Sequence, residues 1–234
     1  MAELMQKIKD QHKSYGMGMH QERLVGRTQQ AFLSPEDEEN FVYPDAPVVD
    51  FSVEAEFDSA QLETGAINRK IWELMSQGHG SIRVLNPMAK HSLGVGILGR
   101  LKLTFEGSLG YFGCGLIDGP NIHIKGRVGW SCAENMMAGT VLIERNAGSL
   151  FGAALRGGDL VCKGDVGGRT GIDMKGGTIL IGGCTGAFSG FMMQRGAWWC
   201  WAMQARISAT PCTMASSMLA GRSNRSASTP FQAR

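Results

Sequence analysis

Long apolar runs are missing from this sequence: no stretch of 18 or more apolar residues occurs, so no segment reads as a membrane-crossing helix. The N-terminus, Met1 to Lys13, is polar and amphipathic and does not read as a signal peptide, which makes the cytoplasm the expected location. No dense basic stripe exists either. The 23 basic and 21 acidic residues are scattered and leave a net charge of +2, which argues against a nucleic-acid partner. The six cysteines (Cys114, Cys132, Cys162, Cys184, Cys200, Cys212) show none of the CxxC spacings that hold zinc or iron–sulfur clusters, and read as small, mostly buried thiols. The five histidines (His12, His20, His79, His91, His123) lack metal-ligand spacing such as HExxH. No catalytic, cofactor-binding or metal-binding residue is therefore assigned to this chain.

Glycine is abundant but unevenly placed. Six of the 33 precede residue 91, 26 lie between Gly94 and Gly196, and one, Gly221, follows. Three regions result: 1–80 as a helical and extended docking segment, 81–196 as a repeat domain, and 197–234 as an atypical tail. Within the first, Ala2 to Ser14 carries Leu4, Met5 and Ile8 on one helical face, and Ser34–Pro35–Glu36–Asp37 has the cap, first-turn proline and acids that open a helical turn. Residues 41–60, with Val49, Phe51 and Val53 alternating, suggest an extended connector or an edge strand. Ile67, Ile71, Leu74 and Met75 predict a helix over Thr64 to Gln77 that packs over one end of the repeat domain. Ser81 to Leu85 reads as a strand.

The repeat decides the fold class. Gly110, Gly129, Gly148, Gly167 and Gly186 stand 19 residues apart, and four residues after each comes a small residue: Cys114, Ala133, Gly152, Gly171, Gly190. A third column runs Gly139, Gly158, Gly177, Gly196, with Pro120 in the first coil. Two apolar columns follow it: Leu103, Ile122, Val141, Leu160, Ile179, and Phe105, Ile124, Ile143, Cys162, Ile181. Apolar residues at i and i+2 between glycine corners describe one short strand per coil, its inward side chains entering a shared interior while glycine permits positive-φ bends. The predicted fold is all-β: a right-handed parallel β-helix, a single-stranded solenoid of 19-residue coils, with the N-terminal segment as an appendage and a candidate cap.

Other constellations are weak. His91 follows Asn86–Pro87 and reads as a hydrogen-bonding residue at the start of the first coil. Asp118, Glu134, Asp159 and Asp173 do not recur at 19 residues, so they do not form the stacked acid pairs of a glycosidase or lyase. Gly157–Gly158 and Gly176–Gly177 precede strands, not helices, and are corners instead of phosphate loops. Lys125, Arg127, Arg145, Lys163 and Lys175 read as a solvated rim, with contact to acidic partner surfaces as the second reading.

After Gly196 the period stops. The tail holds Trp198, Trp199 and Trp201, four arginines and no acidic residue, and it reads as translated out of frame. Tryptophan and methionine each have one codon, so the overlapping frame can be partly deduced. Trp198–Trp199 and Trp199–Cys200 each contain GTG, Cys200–Trp201 a leucine codon, and Trp201–Ala202 GGC. A permitted full reading is GVVVLGDAGEDFGDSMYDGIIYVGG, which would add a further coil and begin another. The other reading is a genuine, divergent tail that docks through its tryptophans. On either reading the tail is expected not to continue the β-helix.

From about Val84 to Gly196 the chain resembles the GXGXG domain of the glutamate synthase large chain, above all its stand-alone version in N-methylglutamate synthase and related complexes. The residues carrying this likeness are Val84–Leu85–Asn86–Pro87, His91, Leu93–Gly94–Val95–Gly96, Asn135–Met136–Met137–Ala138–Gly139–Thr140–Val141, Arg156–Gly157–Gly158–Asp159–Leu160–Val161 and Gly171–Ile172–Asp173–Met174–Lys175–Gly176. The resemblance implies a non-catalytic structural subunit of a hetero-oligomer. A glutaminase-type amidotransferase subunit and an FMN-binding synthase subunit with an iron–sulfur cluster would be its partners, forming glutamate or N-methylglutamate. Two alternatives stand beside it: the β-helical subunit of a formylmethanofuran dehydrogenase or formyltransferase/hydrolase complex, and a carbohydrate-active β-helix enzyme.

Overall fold

A computed structural model describes residues 47–200 of the chain. The helices read over Ala2 to Ser14 and from Ser34, and the tail after Cys200, lie outside the described residues. Eight parallel strands follow one another in sequence order across a single sheet: β1 (Asp50–Asp58), β2 (His79–Leu85), β3 (Lys102–Glu106), β4 (Asp118–Ile124), β5 (Ala138–Ile143), β6 (Asp159–Cys162), β7 (Lys175–Ile181) and β8 (Arg195–Cys200). Parallel neighbours joined in sequence order require the chain to return underneath the sheet after every strand, so the architecture is a β-solenoid of about six turns. The register matches the 19-residue period: Leu103 pairs with Ile122, Ile122 with Val141, Val141 with Leu160 and Leu160 with Ile179. A second, narrower ladder links Leu109, Val128, Ala147, Val166 and Thr185 by single parallel bridges.

The inward columns are buried together with Ile117, Met136, Leu155 and Met174, which are also 19 residues apart and line the remaining side of the coil. Each buried Val, Ile or Leu contributes roughly 1.5–3 kcal/mol relative to exposure. No coil encloses this interior alone, so the contribution is realised only between neighbours.

The glycine columns have two different causes. At Gly139, Gly158, Gly177 and Gly196 φ is positive, between +78° and +101°, as the corner reading requires. Gly129, Gly148, Gly167 and Gly186 show no positive φ; there the constraint is proximity. A Cβ at Gly167 would stand 2.5 Å from the Ser149 nitrogen and 2.7 Å from the Gly148 carbonyl carbon of the coil below. Positive φ also recurs at alternate residues of a six-residue arc that closes each coil, most of them not glycine. In one coil these are Phe112, Cys114 and Leu116, and in the next Ser131, Ala133 and Asn135. Their amides bond alternately forwards and backwards: Ser131 N–H donates to Ser149 O, Ala133 N–H to Gly113 O, and Asn135 N–H to Ala153 O. The left-handed conformation costs about 1–2 kcal/mol per non-glycine residue. A hydrogen bond between coils at each position, worth about 1 kcal/mol net, offsets much of that cost.

The ladder passes both bounds read from the repeat. At the N-terminal side β1 joins the sheet as an edge strand paired with β2, because Glu54 to Asp58 lie alongside Ser81 to Leu85. The helix α1 (Thr64–Ser76) buries Ile67, Ile71 and Met75 in the solenoid core. Its Asn68 side chain donates to Ser92 O at 2.8 Å and accepts from Gly94 N–H at 2.9 Å, which docks α1 on the first arc. At the other side the expectation that the tail leaves the β-helix at Gly196 fails for its first residues. Ala197 to Cys200 complete β8 in the 19-residue register, with Trp198 buried in the column of Ile179. Trp198 is large and apolar enough to fill that inward place, so the backbone runs on for one strand.

Gly167→Ala should lower the unfolding midpoint by the equivalent of about 2 kcal/mol or more, since a Cβ cannot fit without separating two coils. Gly65→Ala in the first turn of α1, where a Cβ would meet nothing within 4 Å, should be neutral or stabilising by up to about 1 kcal/mol. Denaturant unfolding of the two variants checks this; equal midpoints would contradict the close-stacking account.

Candidate interaction face

One surface of the solenoid carries aromatic side chains in register. The residue after each column glycine points outward, and in the first coils it is Tyr111 and then Trp130. Their rings stack with centroids 5.5 Å apart, and His91 stacks on Tyr111 at 4.7 Å. His91 Nδ1 also accepts the Tyr111 amide N–H at 2.8 Å, so this histidine is fixed at the first coil as an acceptor, in the hydrogen-bonding role read for it. Gly110 makes room for it, because a Cβ there would overlap the imidazole. Tyr111 and Trp130 are 45% and 56% exposed, and the neighbouring Phe112 and Leu116 are also exposed. At the far end of the same arc surface Phe188, Phe191 and Met192 are exposed, with Phe188 and Phe191 edge to face. Exposed aromatic clusters of this kind mark interaction surfaces. Sequence reasoning missed this face although its signal was present: Tyr111 and Trp130 are 19 residues apart.

The opposite chemistry occupies the outward side of the sheet. Glu106, Lys125, Glu144 and Lys163 follow each other at 19 residues and pair in alternation, Lys125 with Glu106 at 2.8 Å and Lys163 with Glu144 at 2.6 Å. Arg83 joins the lower end through Glu56 and Glu106. His123 Nε2 lies 2.7 Å from the second oxygen of Glu144. Hydrogen bonds from Lys163 first and His123 second hold the Glu144 carboxyl below the usual glutamate range. Lys175 pairs with Asp173 at 3.2 Å. Three of the five rim cations are thus satisfied within the chain, which favours the solvated-rim reading for them; Arg127 and Arg145 are exposed.

The four carboxylates considered from sequence do not converge. Asp118 is buried at the start of β4, Asp159 is exposed at the start of β6, and Glu134 and Asp173 lie on arcs two coils apart. Among the described residues no group of three or more His, Cys, Asp or Glu side chains is placed to hold a metal ion. An open groove of about 520 Å³ runs beside α1, lined by Asn68, Arg69, Trp72, Glu73 and Val95 among others. Cys114, Cys132 and Cys162 are buried. Burial pushes the Cys162 thiol up to about 11, and its Sγ donates to Arg145 O at 3.0 Å. Cys132 is raised well above the usual thiol range, first by its hydrogen bond with Cys114 and then by burial. Such thiols are weak nucleophiles. Among the described residues no helix is long and apolar enough to cross a membrane.

Because the Glu144 pKa is depressed by folding, its contribution to stability is present above the unfolded glutamate range and is lost as pH falls through the folded value. Lys163→Met should move the Glu144 carboxyl titration, followed by carbon-13 NMR, back up towards the ordinary range. An unmoved titration would show that the lysine is not the main cause.

Comparison with known proteins gives one partial likeness. Protein GlxC from Rhizobium meliloti (strain 1021) is 44% identical over 63 residues, a stretch covering 27% of this chain and 28% of that protein. No family model matches the chain, and no solved structure matches it.

Proposed function

We propose that this chain is a non-catalytic structural subunit of a glutamate-synthase-like complex. The observation that carries the reading is the pairing of a regular β-solenoid with an uncharged aromatic face, Tyr111, Phe112, Leu116 and Trp130, on its arc side. A rigid stack of coils supplies a fixed surface, and its charges on the sheet side are largely consumed internally. The partial likeness to Protein GlxC supports a glutamate-synthase-related identity for part of the chain. The partners of this reading are a glutaminase-type amidotransferase and an FMN-binding synthase subunit with an iron–sulfur cluster, which the solenoid braces for transfer of ammonia or an amine. The scattered carboxylates disfavour the carbohydrate-active alternative, because glycoside cleavage needs two acids flanking one bond.

Affinity purification of the tagged chain from its own cells should recover an amidotransferase and a second chain with a flavin absorption spectrum. The double variant Tyr111→Ala, Trp130→Ala should lose most of that recovery while its own unfolding midpoint stays close to the parent. Recovery of a formyltransferase, or unchanged recovery by the variant, would refute the reading.

A further inference from the structure

The two ends of the sheet are built differently. Edge strand β1 carries Asp50, Glu54, Glu56 and Asp58 and is followed by α1, a combination that blunts an edge and caps a core. Edge strand β8 is uncharged from Gly196 to Cys200, and Trp199 on it is 52% exposed. It is the last of the eight strands in the sheet. Its inward place holds the Trp198 indole, where five coils below carry Leu103, Ile122, Val141, Leu160 and Ile179.

The geometry of the existing coils states what a further coil must contain. Position 205, 19 beyond Gly186, must be glycine, since a Cβ at each of Gly129, Gly148, Gly167 and Gly186 would approach the coil below within 2.7 Å. Position 215, 19 beyond Gly196, must be glycine, because its column has positive φ and a Cβ at each member would lie within 2.7 Å of a neighbouring atom. Position 202 continues the column of Gly107, Gly126, Gly164 and Gly183, in which one coil carries a side chain, Arg145. Position 198 continues the aliphatic column Leu103, Ile122, Val141, Leu160 and Ile179, and position 200 the apolar column Phe105, Ile124, Ile143, Cys162 and Ile181.

As translated, positions 202, 205 and 215 are all alanine, and 198 and 200 are tryptophan and cysteine. The frame that joins the third base of each codon to the first two of the next admits a fitting residue at each of these positions. Ala197–Trp198 can then encode only leucine, methionine or valine, and Trp199–Cys200 only valine. Trp201–Ala202 gives glycine, Gln204–Ala205 glycine or serine, of which glycine fits the column, and Met214–Ala215 glycine. Positions 205 and 215 agree with a geometry fixed by other residues, and 198, 200 and 202 with the residue types that prevail in their columns.

We propose that the native neighbour of the β8 edge is a further coil of this same chain, encoded in that overlapping frame from about position 197 onward. The coil covers the interior beyond β8 and moves the sheet edge outward by one strand. The inference is independent of the proposed function.

Tandem mass spectrometry of the protein isolated from its own cells decides it. Peptides reading through VVLGDAG are the expected result; peptides spanning Ile207–Arg222 as translated, without the shifted ones, would overturn the proposal. In a recombinant pair, the chain carrying GVVVLGDAGEDFGDSMYDGIIYVGG from position 197 should have a higher Tm than the chain as translated, and alanine reinstated at positions 205 and 215 should remove the gain. A Tm no higher than that of the translated chain would count equally against it.

Discussion

Successive coils of a parallel sheet lie only about 4.7–4.9 Å apart, and at the Gly129, Gly148 and Gly167 column the backbones come so close that no Cβ fits between them. That contact fixes the register of each coil on the one below, and the rest of the molecule inherits it. Gly129 N–H donates to the carbonyl oxygens of Leu109 and Gly110, Gly167 N–H to those of Ala147 and Gly148, and Gly186 N–H to those of Val166 and Gly167. With the register fixed, Leu103, Ile122, Val141, Leu160 and Ile179 stack as one buried column, and the outward residues stack as well. A slip of one residue would turn every inward side chain towards solvent.

The same register sorts the surface chemistry. Residues just after the glycine column form the His91, Tyr111 and Trp130 stack, whereas residues at the strand ends form the alternating Glu106, Lys125, Glu144 and Lys163 ladder. Charge is neutralised on the sheet side and is sparse on the arc side around the aromatic rings. The arc brings its own constraint. Its middle residue points inward and is small in every coil, as at Cys114, Ala133 and Gly152, because the arc lies against the strand residues. A Cβ at Gly152 would stand 2.7 Å from the Leu160 side chain. The scaffold therefore presents a regular, shaped surface, which the proposed bracing role would use.

The coil period and the inward columns were legible in the sequence because identical rungs repeat the same requirement at a constant interval. The edge strand β1 was only half legible. Its Val49, Phe51, Val53 alternation signalled extension, but its partner, Ser81 to Leu85, lies beyond an intervening helix. Positive φ at Phe112, Leu116 and Leu150 could not be read at all, since these residue types favour other conformations and adopt this one through bonds to neighbouring coils. Glu106 and Glu144 stand at the coil period too, but they alternate with Lys125 and Lys163, so no single residue type recurs and the charge ladder does not stand out as a column. The Gly129 column is visible at its spacing, yet spacing suggests positive φ as readily as its actual cause, the proximity of two backbones.

Residue-resolved amide hydrogen exchange tests the stacking most directly. The amides of Gly129, Gly148, Gly167 and Gly186 are predicted to exchange slowly and as one cooperative set, since each donates to the coil beneath it. Fast exchange at these glycines, at rates near those of an unstructured chain, would contradict the account.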